Sequence, residues 1–479
     1  MIFQNIAEFR ASGFAPRIGI VGSGPAGVTV ARKLAQAKIP SVILEAGAAE
    51  YSDESQDFYK GTVVGDPYFD LDSCRLRFFG GSSNHWAGWC RVLEAHDFQA
   101  RPYVPNSGWP IARADIEPFL SEAFDILGIR PFRPDVPISA DMKWYELIKS
   151  EHVHFGEKFH DELDKSPLIA LVLDTEVLQL NGNGRIVTSA DLWSQGAPAG
   201  ALALDYYVVC TGGLENSRLL LWSNERSKGG VVPNASALGR YWMEHPMYTA
   251  GAAIFTDLDR IEFDADGQAF FQPTAEALAK RGILNFHVEV ETAPYPGMKQ
   301  YVADLACVTP EWTEWIAKEL GSHLRCSAQV HMSWEQAPRS DNFVALSKTE
   351  RDAAGNPRTE LHWTKDALEH RTLIEGLRLF GETIAAQDIG RLKIMDWVLD
   401  GSPYPEGMEL AGNHHMGGTR MGSDPAVSVV DVDCKVHGME NLFVGGSSVF
   451  PTSGQCPPTT TLTALAVRLG DHLGRIISA

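Results

Sequence analysis

Hydrophobic positions follow two regimes along the chain. RIGIVGSG at 17–24 predicts an apolar strand running into glycines, PAGVTVARKLAQAK at 25–38 a helix with small residues toward a sheet, and SVILEAG at 41–47 the next strand. That order is one βαβ unit. LIALVLDTEVLQL at 168–180 and ALALDYYVVC at 201–210 read as further strands of the same dinucleotide domain, with helices over 213–223 and 461–473. From about 246 to 400 the period changes. ILNFHVEV at 283–290 and RCSAQVHMSW at 325–334 alternate apolar and polar residues, which predicts an antiparallel sheet with one buried face. Residues 343–363 read as two extended arms around a Gly355-Asn356-Pro357 turn, a hairpin of that sheet. Between about 50 and 110 neither period holds, and the glycines, serines and aromatics of FFGGSSNHWAGWC at 78–90 suit a segment lying along a ligand.

Composition narrows the class without naming a chemistry. A chain of 479 residues with 44% hydrophobic and 21% charged residues is folded throughout and long enough for two or three domains. Its formal charge of −20 disfavours nucleic acid and anionic lipid as partners. The seven cysteines are odd in number and never spaced as C-x-x-C, which argues against zinc, attached haem and disulfides, so no metal site is expected. No export signal and no apolar run of membrane-spanning length is visible, so a cytoplasmic protein is expected, with homo-oligomerisation left open.

Gly22, Gly24 and Gly27 form G-x-G-x-x-G between the first strand and helix. The first glycine allows the tight turn, the second lets backbone approach a pyrophosphate at the helix N-terminus, and the third permits close helix packing. Glu45 ends the next strand, where a carboxylate can accept hydrogen bonds from a ribose diol. A dinucleotide site follows, with NAD or FAD undecided by this loop.

GSGPAG at 22–27 with Glu45, GGSSNHWAGW at 80–89, VVCTGGLENSRLLL at 208–221, GRYWMEHP at 239–246, GNHHMGGTRMG at 412–422 and NLFVGGSSVFPTSGQCPPTTTLTALAVR at 441–468 together resemble the glucose-methanol-choline family of flavin oxidoreductases, in its bacterial sugar and polyol branch related to pyranose oxidase. The resemblance spans nearly the whole chain. It implies an α/β fold: an FAD-binding Rossmann-like domain of the p-hydroxybenzoate hydroxylase type, with a substrate domain on an antiparallel sheet. The FAD domain would be built from 1–110, 165–245 and 405–479, with a cover or insertion at 111–164 and the substrate domain at 246–404. The implied cofactor contacts are Gly22, Gly24, Pro25, Ala26, Gly27 and Glu45; Gly81, Ser82, Ser83, Asn84, His85, Trp86 and Ala87 beneath the flavin ring; and Val177, Thr211, Gly212, Gly446, Ser447, Pro458 and Thr459. His85 aligns with a position that in some pyranose oxidases bonds covalently to the flavin; non-covalent packing is the expectation here.

The family oxidises an alcohol by passing hydride to flavin N5 while a base takes the hydroxyl proton. His414, first residue of H-x-x-G-x-x-x-M-G, matches the family's catalytic histidine, and imidazole is largely neutral and proton-accepting near pH 7. His415 is adjacent and should face the other way in an extended segment. The resemblance gives Glu244 and His245 structural duty at a domain junction. One departure stands out. Where the family places a second polar residue before P-T-x-T, this chain has Pro457, which lacks a side-chain donor and a backbone N–H. The partner role is expected to move to Gln455, Thr459 or His415, or to the substrate; otherwise ordinary oxidation is lost. The expected function is oxidation of a sugar, glycoside or polyol hydroxyl, with oxygen, a quinone or a protein as electron acceptor. The alternatives are a flavin-containing lyase or isomerase using His414 for proton transfer, and a non-catalytic flavin-binding protein.

Overall fold

The computed structural model describes residues 1–151, 154–255, 260–292, 328–410 and 412–478. Its first layer is a six-stranded parallel sheet in the order Ile2–Phe3, Ile169–Val172, Ser41–Leu44, Ile18–Val21, Tyr206–Val209, Leu442–Val444. Every residue of Ile18–Val21 and Ser41–Leu44 is buried, as a parallel sheet covered on both faces requires. Helix Pro25–Gln36 packs on this sheet beside the C-terminal helix Thr459–Ser478. Val21 sits in register with Leu44 on one side and Val209 on the other. The strands therefore end level, and Gly22, Glu45 and Cys210 emerge together at their carboxyl edge, the usual ligand-binding edge of an open α/β sheet.

The second layer is a seven-stranded sheet in the order Gly390–Ile394, Met247–Phe255, Ala328–Trp334, Phe286–Thr292, Gln268–Pro273, Met142–Tyr145, Val136–Pro137, antiparallel throughout. Helix Ala367–Ala386 covers one face, where its Leu373, Leu377, Phe380 and Ile384 share a core with Phe286, Val288, Val290 and Met332. Residues alternate across a strand, so His287 and Glu289 stand on the opposite face, toward the parallel sheet. Both are nevertheless buried, so this sheet carries an apolar face and a covered polar face.

Four expectations need correction. The run 168–180 is two strands: Asp174 turns the chain with φ 43°, and Thr175–Gly182 joins Val187–Ser194 and Ala197–Leu202 in a separate antiparallel sheet. The run 201–210 divides likewise between Ala197–Leu202 and Tyr206–Val209. The hairpin Phe343–Arg351 and Pro357–Trp363 forms as expected but pairs with Gly61–Gly65 rather than with the large sheet. Arg218 holds it there, donating to the carbonyl of Pro357 and pairing with Asp352. Finally, the alternation read across 246–400 passes over helix Ala367–Ala386, which Asp366 caps through bonds from the N–H groups of Leu368 and Glu369. For the strand expected at 325–334, residues 325–327 lie outside the described residues, and the remainder forms Ala328–Trp334.

Candidate functional site

Between the two sheets lies a cavity of about 600 Å³ that runs from Glu45 to His414. At one end the backbone does the shaping. Gly22 has φ +99°, and a Cβ there would stand 2.6 Å from the carbonyl oxygen of Cys210. A Cβ on Gly27 would stand 2.0 Å from the oxygen of Gly22, so the third glycine sets how closely helix and strand meet. Gly24 caps helix Pro25–Gln36 with no side-chain bond, and a Cβ there would have nothing within 4 Å. Open space thus faces a helix N-terminus with unfilled N–H groups, as a phosphate requires. Glu45 accepts from Ser23 N at 3.0 Å, Ser23 Oγ at 2.6 Å and Gly47 N at 2.9 Å, which fixes the loop beside it. These features fit a dinucleotide.

The side wall is the turn Gly81–Asn84 followed by His85, Trp86 and Ala87. Ser83 ties the turn to helix Phe155–Lys165: its Oγ donates to Gly80 O at 2.7 Å and accepts from Phe155 N at 3.0 Å. Asn84 points away, donating to Phe79 O at 2.8 Å. Burial lowers the pKa of His85. Opposite, Asn216 joins two distant segments, accepting from Thr211 N–H and donating to Ser448 Oγ at 2.7 Å and Gly445 O at 3.0 Å. Of the expected cofactor contacts, Gly27 and Asn84 stand behind the lining, and all the others line it. Arg75 and Arg77, which no motif marks, also line it, paired with Glu215 at 2.7 Å and Glu176 at 3.0 Å.

The far end is made of imidazoles. His414 Nδ1 lies 2.9 Å from His245 Nδ1, and His245 Nε2 lies 2.6 Å from Gly454 O. A carbonyl only accepts, so His245 carries its proton on Nε2 and presents a lone pair at Nδ1. His414 must then donate from Nδ1, which leaves its Nε2 unprotonated. Burial pushes His245 down to about 3 and His414 well below the usual histidine range, so both rings are neutral. Glu244 anchors the pair: one carboxyl oxygen accepts from His245 N at 2.8 Å and His414 N at 2.6 Å, and the other accepts from the Tyr68 hydroxyl. Burial raises Glu244 to about 7. His245, given structural duty by the sequence, thus touches the proposed base directly.

His415 also lines the cavity but engages other partners than His414 does. Its Nε2 is 3.0 Å from the Tyr68 hydroxyl, its ring lies beside Trp242, and its carbonyl accepts from Ser447 Oγ at 2.6 Å. Thr459 opens the C-terminal helix and lines the cavity beside Pro457 and Pro458. Gln455, expected at the alcohol, stands one layer back. Its Oε1 lies 3.0 Å from Nδ1 of His287, a cavity-lining residue that carried no sequence signal beyond its place in an alternating strand. Burial lowers His287 to about 4. On the same strand Glu289, raised to about 7 by burial, also lines the cavity. Glu289, Glu291 and His331 bring three ligand-type atoms within 4.8 Å, but Gln268 and Thr249 already bond to this group from either side. The cysteines among the described residues are free and buried, and no described helix is long and apolar enough to cross a membrane.

A family model described as GMC oxidoreductase matches residues 338–466. The chain is 37% identical over 442 residues to a C-glycoside 3-oxidase of Microbacterium trichothecenolyticum, covering 84% of this chain and 76% of that one. It is 25% identical over 547 residues to a 2-methyl-1,2-propanediol dehydrogenase of Mycolicibacterium austroafricanum, covering 96% and 95%. Among solved structures, pyridoxine 4-oxidase from Mesorbium loti matches with a TM-score of 0.61 at 16% identity, covering 96% of this chain and 99% of that one, a likeness of fold.

Proposed function

The chain belongs to the GMC oxidoreductase family of FAD-dependent alcohol and sugar oxidoreductases, and from that premise we propose that it oxidises a hydroxyl of a sugar, glycoside or polyol to a carbonyl, with His414 as the base. The observation that carries this reading is the direction of the relay from His414 through His245 to Gly454, which leaves His414 Nε2 as a lone pair at the cavity wall. Similarity to a C-glycoside 3-oxidase and a propanediol dehydrogenase supports a polyhydroxylated substrate.

The chemistry FAD supplies when bound is hydride acceptance at flavin N5. The glycine loop and helix Pro25–Gln36 would hold its pyrophosphate, Glu45 a ribose, and the turn Gly81–Asn84 with His85, Trp86 and Ala87 its ring. His414 Nε2 takes the hydroxyl proton as the C–O bond becomes C=O. The ring then carries a positive charge, which the lone pair of His245 Nδ1 faces at 2.9 Å and which Glu244, bonded to the main-chain N–H groups of both histidines, offsets when ionised. General-base assistance of this kind contributes about 10²–10⁴ in rate. Held neutral by burial, His414 is ready to accept at pH 7 without first losing a proton.

Anaerobic visible spectroscopy of the yellow holo-protein tests the reading. Sugars, glycosides and polyols are added in turn, and bleaching of the flavin band by one of them is the expected result. A band that a chemical reductant bleaches but no alcohol does would sink the proposal.

A further inference from the structure

Gln455 is held by a second relay, and its direction can be deduced in the same way. Gln272 donates from Nε2 to Glu94 at 2.5 Å and Asp135 at 3.2 Å. Although Glu94 is buried, His96 and Lys143 keep it well below the usual carboxylate range, so it only accepts. The amide of Gln272 is thereby fixed with its oxygen toward Gln455, which donates to it from Nε2 at 2.6 Å. That fixes Gln455 in turn, with Oε1 toward His287 at 3.0 Å. That oxygen can only accept. His287 therefore carries its proton on Nδ1 and its lone pair on Nε2.

The two relays end on consecutive residues, Gly454 for the His245–His414 pair and Gln455 for His287. Both relays are thus held by one short segment behind the cavity. Both imidazoles line the same cavity, and among the described residues neither Nε2 has a protein donor. A single hydroxyl has one proton and can satisfy one of them. A buried acceptor left without a donor costs ~1–3 kcal/mol.

We infer that the site is built for a substrate bearing two neighbouring donors, a vicinal diol or amino alcohol, in which one hydroxyl gives its proton to His414 and the adjacent group donates to His287. His287 then selects the substrate, and Gln455 and Gln272 are positioning residues that fix its lone pair. His287 thereby supplies a polar substrate contact that Pro457, with no polar side chain, does not. Glu289, on the same face of the strand, adds a polar contact beyond. The inference rests on alcohol oxidation at His414.

The test uses the holo-enzyme, the sugar or polyol that bleaches it fastest, and the deoxy analogues lacking a hydroxyl on either side of the oxidised carbon. Two readouts are taken: the anaerobic bleaching rate, and the dissociation constants of the corresponding ketones from perturbation of the oxidised flavin band. Loss of one adjacent hydroxyl should slow bleaching of the parent protein roughly 10²-fold or more and weaken ketone binding. In His287→Phe the same deletion should cost less than about 5-fold, because the partner is already gone. Gln455→Leu, which leaves the cavity lining untouched, should reduce the discrimination roughly tenfold and decides the matter if the 287 variant loses its flavin. Equal rates for the substrate and both deoxy analogues, or an undiminished penalty in the variants, would overturn the inference while leaving alcohol oxidation intact. A parent protein that no alcohol bleaches would overturn both.

Discussion

The two ends of the cavity are built on opposite plans. At the nucleotide end a contiguous loop of small residues exposes backbone, and the selective features are φ angles and close approaches at Gly22 and Gly27. At the imidazole end, side chains from positions 245, 287, 414 and 455 meet across separations of 168 and 169 residues in their pairwise bonds. Backbone recognition needs neighbouring residues and so leaves a local motif. Proton chemistry needs buried, oriented lone pairs, which only tertiary contacts supply.

Substitutions at the imidazole end should leave flavin bound and stop chemistry. The largest effect is expected for His414→Ala, which should slow anaerobic flavin bleaching about 10³–10⁴-fold with flavin content unchanged. Loss of flavin in that variant would blur the separation of the two ends. Gly22→Val should do the reverse. With φ +99° and 2.6 Å to Cys210 O there is no room for a side chain, so the purified protein should be largely colourless; a fully yellow variant would show that the loop does not hold the nucleotide.

Smaller effects sharpen the comparison. His245→Phe removes the acceptor that orients His414, and bleaching should fall roughly 10²-fold with binding of the ketone product little changed. The pH profile follows from burial. A base is active above its pKa and lost as pH falls through it; burial lowers His414, so the acid limb is displaced downward. Bleaching should change less than about twofold between pH ~8 and ~6, where a histidine of ordinary pKa would already be about three-quarters protonated at the acid end. His245 and His287, also lowered, stay neutral across that window. An inflection near pH 7 belongs to Glu244 or to Glu289, both raised to about 7 by burial, and Glu244→Gln should flatten it where Glu244 is the source. Finally, acid precipitation should release the yellow colour into solution, as non-covalent FAD beside His85 requires; colour retained in the pellet would establish a covalent link.

The same contrast explains what the sequence made legible. The βαβ unit, the glycine loop with Glu45, and the place of His414 at the cavity were all readable, because each depends on residues close in sequence or on a compact motif. His245 lay in a segment that looked like a junction, and only the fold brings its ring to His414. His287 looked like any buried position of an alternating strand, since nothing local distinguishes a polar residue facing a cavity from one satisfied in a core. Gln455, expected at the alcohol, stands behind His287 instead of at the cavity wall. Helix Ala367–Ala386 did leave a signal, in the Asp366 cap and the apolar positions 373, 377, 380 and 384, but a strand period extended across the whole region obscures it. The breaks at Asp174 and at residues 203–205 were hidden because apolar residues continue on both sides of each, Leu173 and Val177 at the first and Leu202, Leu204 and Tyr207 at the second.

The direction of the proton relay can be read directly by nitrogen NMR of the holo-protein labelled with 15N-histidine at pH 7, with the His414 signals identified by their loss in His414→Gln. The account predicts a neutral ring with a protonated Nδ1 and a bare Nε2. A proton on Nε2, or an imidazolium ring, would contradict His414 as a base poised to take the substrate's proton.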